Sequence, residues 1–215
     1  VMSDASYSDN NSIVDWVFIE VRDGSNYNNV VGGKYGLIQR DGDIVSATDG
    51  TSPLYFPCVC PGNYYIVVKH RNHLGVMTNN TVALSSAIAN VDFTDPNPAT
   101  VWVKPGAITN APRYITSGKG LLWGGDANTN KNSKYNGLAN DKEQILADIA
   151  SILCSPLVPP GSNNIFYQTY KNSDLNMDGK VKYNNVDNDK NWLLSTILIS
   201  TAGSTPNTII SQHTP

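Results

Sequence analysis

Two stretches of this chain align without a gap at an offset of 48 residues: DANTNKNSKYNGLANDKEQIL from Asp126 and DLNMDGKVKYNNVDNDKNWLL from Asp174. A repeat of that length is one supersecondary unit used twice, and such units bury their apolar faces against each other. Asp126, Asn128, Asn130, Lys134, Tyr135, Asn140, Asp141 and Lys142 fall on Asp174, Asn176, Asp178, Lys182, Tyr183, Asn188, Asp189 and Lys190. Most of these shared side chains end in oxygen. Behind each polar stretch the period changes to that of a helix. DKEQILADIASILC sets Ile145, Leu146, Ile149, Ile152 and Leu153 on one face, and DKNWLLSTILIS sets Leu193, Leu194, Ile197 and Leu198 in the corresponding positions.

Alternating Asp and Asn around a turn is the donor pattern of a hard cation. Calcium takes about six to eight oxygens, and side chains at the first, third and fifth positions of a tight loop, with the carbonyl of the seventh, supply four of them. In the second loop these are Asp174, Asn176 and Asp178 with the carbonyl of Lys180, and Gly179 makes the sharp turn. In the first they are Asp126, Asn128 and Asn130 with the carbonyl of Asn132. The bidentate acid that usually closes such a loop at its twelfth position is absent, since Gly137 and Asn185 stand there. Asp141 and Asp189, four residues later, are the expected closing carboxylates; they lie in the first turn of the following helix, where a carboxylate is also a good cap. Loops rich in Asp, Asn and Gly also precede helices in proteins that hold no metal. Duplication at a fixed spacing, with both late Asn-Asp pairs retained, favours two calcium sites. The second is expected to bind more tightly, because in the first Asn130 replaces an acid and Lys131 replaces the turn glycine.

Before residue 105 the pattern is different. Short β-branched and aromatic runs alternate with turn signals: SIVDWVFIEVRD, VVGGKYGLIQ, GDIVSA, SPLYFPCV, GNYYIVVKHR, GVMTN, TVALS, NVDFT and TVWVK. These predict a mainly β chain with an antiparallel, immunoglobulin-like β-sandwich over residues 1–104. In the first run Val14, Trp16 and Phe18 face one way and Val17, Ile19 and Val21 the other, so that strand wants cover on both faces. Residues 105–120, with prolines and glycines but no period, read as a crossing segment, and 121–203 as the small α-helical domain of the two loops. The tail 204–215, STPNTIISQHTP, holds a short β-prone run. It suits a strand closing its own domain, a frayed end, or a strand added to a neighbour's sheet edge in a head-to-tail homopolymer.

The 215 residues are 40% hydrophobic, enough to build cores, but only 15% charged, with a formal net charge of −3. That balance excludes a basic nucleic-acid surface. No apolar run is long enough for a transmembrane segment. Asparagine makes up about one residue in eight, a composition suited to secreted, cell-surface or glycan-associated proteins.

The C-terminal half resembles the dockerin-type calcium repeat, in the extended-loop form found near the ends of large secreted Bacteroidetes proteins of haemagglutinin-like or adhesin-like kind. The stretches GDANTNKNSKYNGLANDKEQIL and SDLNMDGKVKYNNVDNDKNWLL carry the resemblance. VDWVFIEVRD, GLIQRDGDIV, DGTSPLYF and PGNYYIVVKHRNHLGVMT resemble the β-domain that precedes the repeat in the same proteins. The departures are Lys131 and Ser133, where the pattern has glycine and an apolar residue, and the Cys58/Cys60 pair. The resemblance implies an exported, bacterial, calcium-binding protein.

Little else points to chemistry. KHRNH is similar to a metal or acid-base cluster, yet alternation along a strand sends His70 and His73 to opposite sides, which favours hydrogen-bonded roles at a strand end. Cys58, Cys60 and Cys154 are buried small hydrophobes, or include one disulfide to Cys154, or link chains. Trp16, Trp102, Trp123 and Trp192 suit core positions better than sugar platforms. No nucleophile elbow, phosphate loop, dinucleotide fingerprint or zinc-protease motif occurs, and no carboxylate pair for glycoside hydrolysis can be picked out. The expectation is a non-enzymatic extracellular structural protein: a subunit or terminal module of an adhesin, fibre or matrix, with filaments assembled by strand addition. The alternative is a glycan- or receptor-binding module with a calcium-stabilised docking domain.

Overall fold

The computed structural model describes residues 9–106, 110–153 and 170–215, with the side chains of residues 152 and 153 outside that description. Its sheets are antiparallel, and the described residues hold two α-helices, so the chain is mainly β. It divides into two compact units. One comprises the residues up to His70, Gly75–Lys104 and Thr214–Pro215; the other comprises Arg71–Leu74 and the residues from Pro105 to His213.

In the first unit β1 (Ile13–Asp23) is central. It pairs with β2 (Val30–Gln39) on one side and β4 (Gly62–Lys69) on the other. β3 (Ile44–Ser46) extends the sheet at β2, and β5 (Val76–Met77) and β6 (Val82–Leu84) both pair with β4. The register sets Val17 opposite Gly36, Ile19 opposite Val68, and Val21 opposite both Gly32 and Ile66. Val17, Ile19, Val21, Ile66 and Val68 are all buried, as strand alternation requires of one face.

The cover on that face is not the strand expected at SPLYFPCV, because residues 52–59 form an irregular loop. Pro53 and Pro57 supply no backbone N–H to a ladder and lock φ. The loop instead lies against bare backbone: a Cβ at Gly32 would stand 2.7 Å from Val59 Cγ2, and one at Gly36 would stand 3.2 Å from Leu54 Cδ1. NVDFT is likewise not a strand, and TVWVK is reduced to a bridge between Val101 and Thr78. The described residues of this unit therefore make one sheet, without the second sheet of a sandwich. On the opposite face Trp16 and Phe18 gather round Tyr35, with ring centroids 5.3 and 4.8 Å away, and Trp16 stays partly exposed. Cys58 and Cys60 are free and exposed on the covering loop, so burial as small hydrophobes is wrong for this pair. Cys154 lies outside the described residues.

The second unit begins with a short turn, residues 71–74. The stretch 105–120, expected as a crossing, carries β7 (Tyr114–Thr116) and most of β8 (Lys119–Leu121), a hairpin of this unit. The repeat is visible in its core: Ala127, Ile145 and Ile149 of the first copy pack with Leu175, Leu193 and Ile197 of the second. Leu74, Trp123, Val181 and Ile210 complete the cluster. Ile145 and Ile149 lie on α1 (Asp141–Leu153), and Leu193 and Ile197 on α2 (Asp189–Leu198). Leu146 and Leu198, expected on the apolar faces, are exposed, so each buried stripe is narrower than the period suggests. The tail forms β10 (Ile209–Ser211), antiparallel to β9 (Asn132–Lys134), with Ile210 fully buried. It closes its own unit by pairing with β9. Among the described residues no helix is long and apolar enough to cross a membrane.

Candidate metal centres

The two loops repeat in conformation as well as in sequence. Thr129, Lys131, Gly137 and Ala139 have φ of 60°, 66°, 89° and 55°; at the same offset Met177, Gly179, Asn185 and Asp187 have 58°, 79°, 76° and 55°. Left-handed backbone at four matched places curls each loop back on itself. Lys131 adopts the conformation that Gly179 adopts in the second copy, at the usual steric cost of a side chain there.

In the first loop Asp126 Oδ1 accepts from Asn130 N at 2.9 Å and Oδ2 from Lys131 N at 3.0 Å. Asn128 Oδ1 accepts from Asn130 N at 3.1 Å, and Asn130 Oδ1 from Asn132 N at 2.9 Å. In the second, Asp174 Oδ2 accepts from Gly179 N at 3.1 Å, Asn176 Oδ1 from Asp178 N at 3.1 Å, and Asp178 Oδ1 from Lys180 N at 2.9 Å. The side chains expected at the first, third and fifth positions thus line the inside of each turn.

The closing aspartates are brought into the loops, and the preceding asparagines release them to be there. Asn140 Oδ1 accepts from Glu143 N at 2.9 Å and Asn188 Oδ1 from Asn191 N at 2.8 Å, so the amides cap α1 and α2. Asp141 then accepts from Asn128 N at 3.1 Å and Lys134 N at 2.8 Å. Asp189 accepts from Leu175 N at 2.6 Å and Lys182 N at 2.7 Å. Each is fully buried and ties the helix start to both limbs of its loop.

Burial dominates the electrostatics. It pushes the Asp141 carboxyl up to about 7, against the backbone donors of Asn128 and Lys134, and the nearby charge of Asp126 adds to the rise. Asp126 itself is pushed up to about 6 by burial. Burial takes Asp189 to about 6, with Asp174 contributing, and raises Asp174 too, although the Arg71 guanidinium opposes that. Each loop therefore holds two buried carboxylates within reach of each other, an arrangement that favours either a shared proton or a cation.

A hard divalent cation fits these donors. Asp174 Oδ1 is buried without a hydrogen-bond partner, an unmet acceptor at the first ligand position. Asp126, Asn128, Asn130, the Asn132 carbonyl and Asp141 would hold a calcium ion in the first loop. Asp174, Asn176, Asp178, the Lys180 carbonyl and Asp189 would hold one in the second. Among the described residues no group of three or more His, Cys, Asp or Glu side chains is gathered as a metal cluster: the first loop draws much of its oxygen from asparagine and the main chain, and Asp174, Asp178 and Asp189 of the second do not converge as one such group.

Several participants escape the sequence pattern. Arg71 Nη2 stands 3.6 Å from Asp174 Oδ2, both side chains being buried, and Lys182 Nζ stands 3.1 Å from Asp178 Oδ2. Two cationic groups thus sit on second-loop carboxylates, which a count of acids ignores. Lys142 lies over the Tyr135 ring and Lys190 over Tyr183, each 4.6 Å from the centroid, so the shared Tyr-Lys pair braces both loops. Of KHRNH, His70 Nε2 is 3.1 Å from Asp15 Oδ2 and His73 Nδ1 is 2.8 Å from Asn72 Oδ1; the two histidines join no common site. No family model, curated protein or solved structure matches this chain.

Proposed function

We propose that this chain is a non-catalytic, calcium-binding structural module that works outside the cell, as part of a surface adhesin, fibre or matrix. One observation carries the reading. Asp141 and Asp189 are relieved of helix capping by Asn140 and Asn188 and turned, fully buried, toward Asp126 and Asp174. A carboxylate needed only as a cap would stay at the helix end in water. A calcium ion would neutralise the buried charge and pin each loop to its helix, and a ligand held by the folded state alone stabilises it by mass action. Calcium is plentiful outside cells, and a sparsely charged, asparagine-rich composition suits that setting. The duplicated loop-helix unit and its apolar cross-packing support a dockerin-like reading of the second unit.

The test is calcium titration by calorimetry beside thermal melts with and without chelator. Two ions are expected to bind per chain, chelator lowers the melting temperature, and Asp141→Asn and Asp189→Asn each remove one binding event. Absence of both binding heat and melting shift would leave the loops as ordinary helix-capping turns and end the proposal.

A further inference from the structure

A single buried residue from outside the repeat touches the first ligand position of both loops. Asn72 lies in the turn 71–74 and is 0% exposed. Its carbonyl accepts from Gly125 N at 2.9 Å and Asp126 N at 3.1 Å, while its side-chain Nδ2 donates to the Asp174 carbonyl at 2.6 Å. His73 Nδ1 lies against the amide's remaining atom, Oδ1, and a flipped amide would set that oxygen against the Asp174 carbonyl oxygen. The neighbours in the turn anchor it further. Arg71 stands beside the Asp174 carboxylate, Leu74 N donates to the Trp123 carbonyl at 2.7 Å, and the Leu74 side chain is in the core with Ala127 and Leu175. Those last two residues directly follow Asp126 and Asp174.

We propose that this turn, acting through Asn72, couples the two calcium sites, so that filling one raises the affinity of the other. The proposal rests on the calcium reading of the loops. An ion held by the Asp126 side chain fixes that residue's main chain, whose N–H is bonded to Asn72. The same Asn72 holds the main chain of Asp174. Ordering the turn is a cost common to both loops; the first ion meets it and the second is spared it, which is positive coupling without any large movement. Linkage makes the effect equal in both directions. Asn72 is a positioning residue in this scheme, since none of its atoms is among the ion's donors.

The experiment is calorimetric calcium titration of the full chain and of its Asp141→Asn and Asp189→Asn variants, each with and without Asn72→Ala. Alanine retains the carbonyl bonded to Gly125 and Asp126 and removes the arm to Asp174 together with the contact to His73. With Asn72 intact, silencing either loop is expected to weaken the other by about five-fold or more. With Asn72→Ala, silencing one loop should change the other by less than about two-fold, the sites having become independent. Independent filling in the unaltered chain, or the same loss with and without Asn72→Ala, overturns the coupling while leaving two calcium sites standing. A chain that takes up no calcium removes both readings at once. Should Asn72→Ala not fold, Asn72→Asp, which keeps the shape and loses the donor, is read in the same way.

Discussion

Ser133 is the point at which the two copies differ most in their interior. It occupies the place of Val181, is fully buried, and its hydroxyl has no hydrogen-bond partner. A Cβ at Gly125 would stand 2.3 Å from that hydroxyl oxygen, so the space holds no water and little extra bulk. Ser133→Ala is therefore expected to stabilise the protein by about 1 kcal/mol, by removing an unmet polar group at small loss of volume. A higher denaturant midpoint with unchanged slope is the confirming result, and a lower midpoint would show that the hydroxyl has a use. The difference itself was legible in the sequence, as was the oxygen-donor spacing from Asp126 and Asp174. The sequence also named Asp141 as the closing carboxylate; what could not be read was that Asn140 takes over the cap of α1 and leaves Asp141 to the loop. Either side chain can cap a helix, and only the three-dimensional path of the turn decides which one does.

Among the elements, the turn 71–74 departs furthest from a sequence reading. Apolar runs between turn signals located β1, β2 and β4 well, although burial does not alternate cleanly along them: Ile66, Val67 and Val68 of β4 are all buried, and β2 buries only Gly36 and Gln39. The alternation rule failed just past Lys69, where β4 ends and side-chain directions cease to alternate. SPLYFPCV failed for a related reason: its apolar residues do cover the sheet, but its prolines keep them out of any ladder. Arg71 gives the turn a measurable electrostatic role. A guanidinium beside Asp174 competes with calcium for that carboxylate, so the acid count that favours the second loop is offset in part. In the Asp141→Asn background, where the second loop binds alone, Arg71→Gln is expected to tighten calcium roughly ten-fold at low salt, as loss of a nearby like charge requires. Weaker binding would mean that Arg71 acts mainly by holding Asp174 in place.

For the whole molecule the buried carboxylates make stability depend on pH in the direction opposite to most acidic groups. Asp126 and Asp189 are pushed up to about 6 and Asp141 to about 7, above the unfolded value of about 4. The folded state therefore holds its protons more firmly. The stability these groups contribute is full below about pH 4 and is lost as pH rises to about 7. Calcium-free protein is expected to melt several degrees higher at pH 5 than at pH 7.5, and saturating calcium, which takes the deprotonated form, should shrink or reverse that gap. A calcium-free melting temperature that rises over this range would contradict the burial of these groups. The two units are also interleaved along the chain: residues 71–74 belong with the second and Thr214–Pro215 with the first. The repeat is legible in sequence because its copies share local rules, whereas this interleaving depends on contacts between distant segments that no local pattern encodes. The pairing of β9 with β10 sets Lys134, beside the first loop, opposite Ile209, far beyond the second. A ribosome releases the second loop before the strand that completes the first. In a chain emerging from its N-terminal end, the loop made earlier is thus finished later, and the order in which the two are assembled is dictated by translation as well as by affinity.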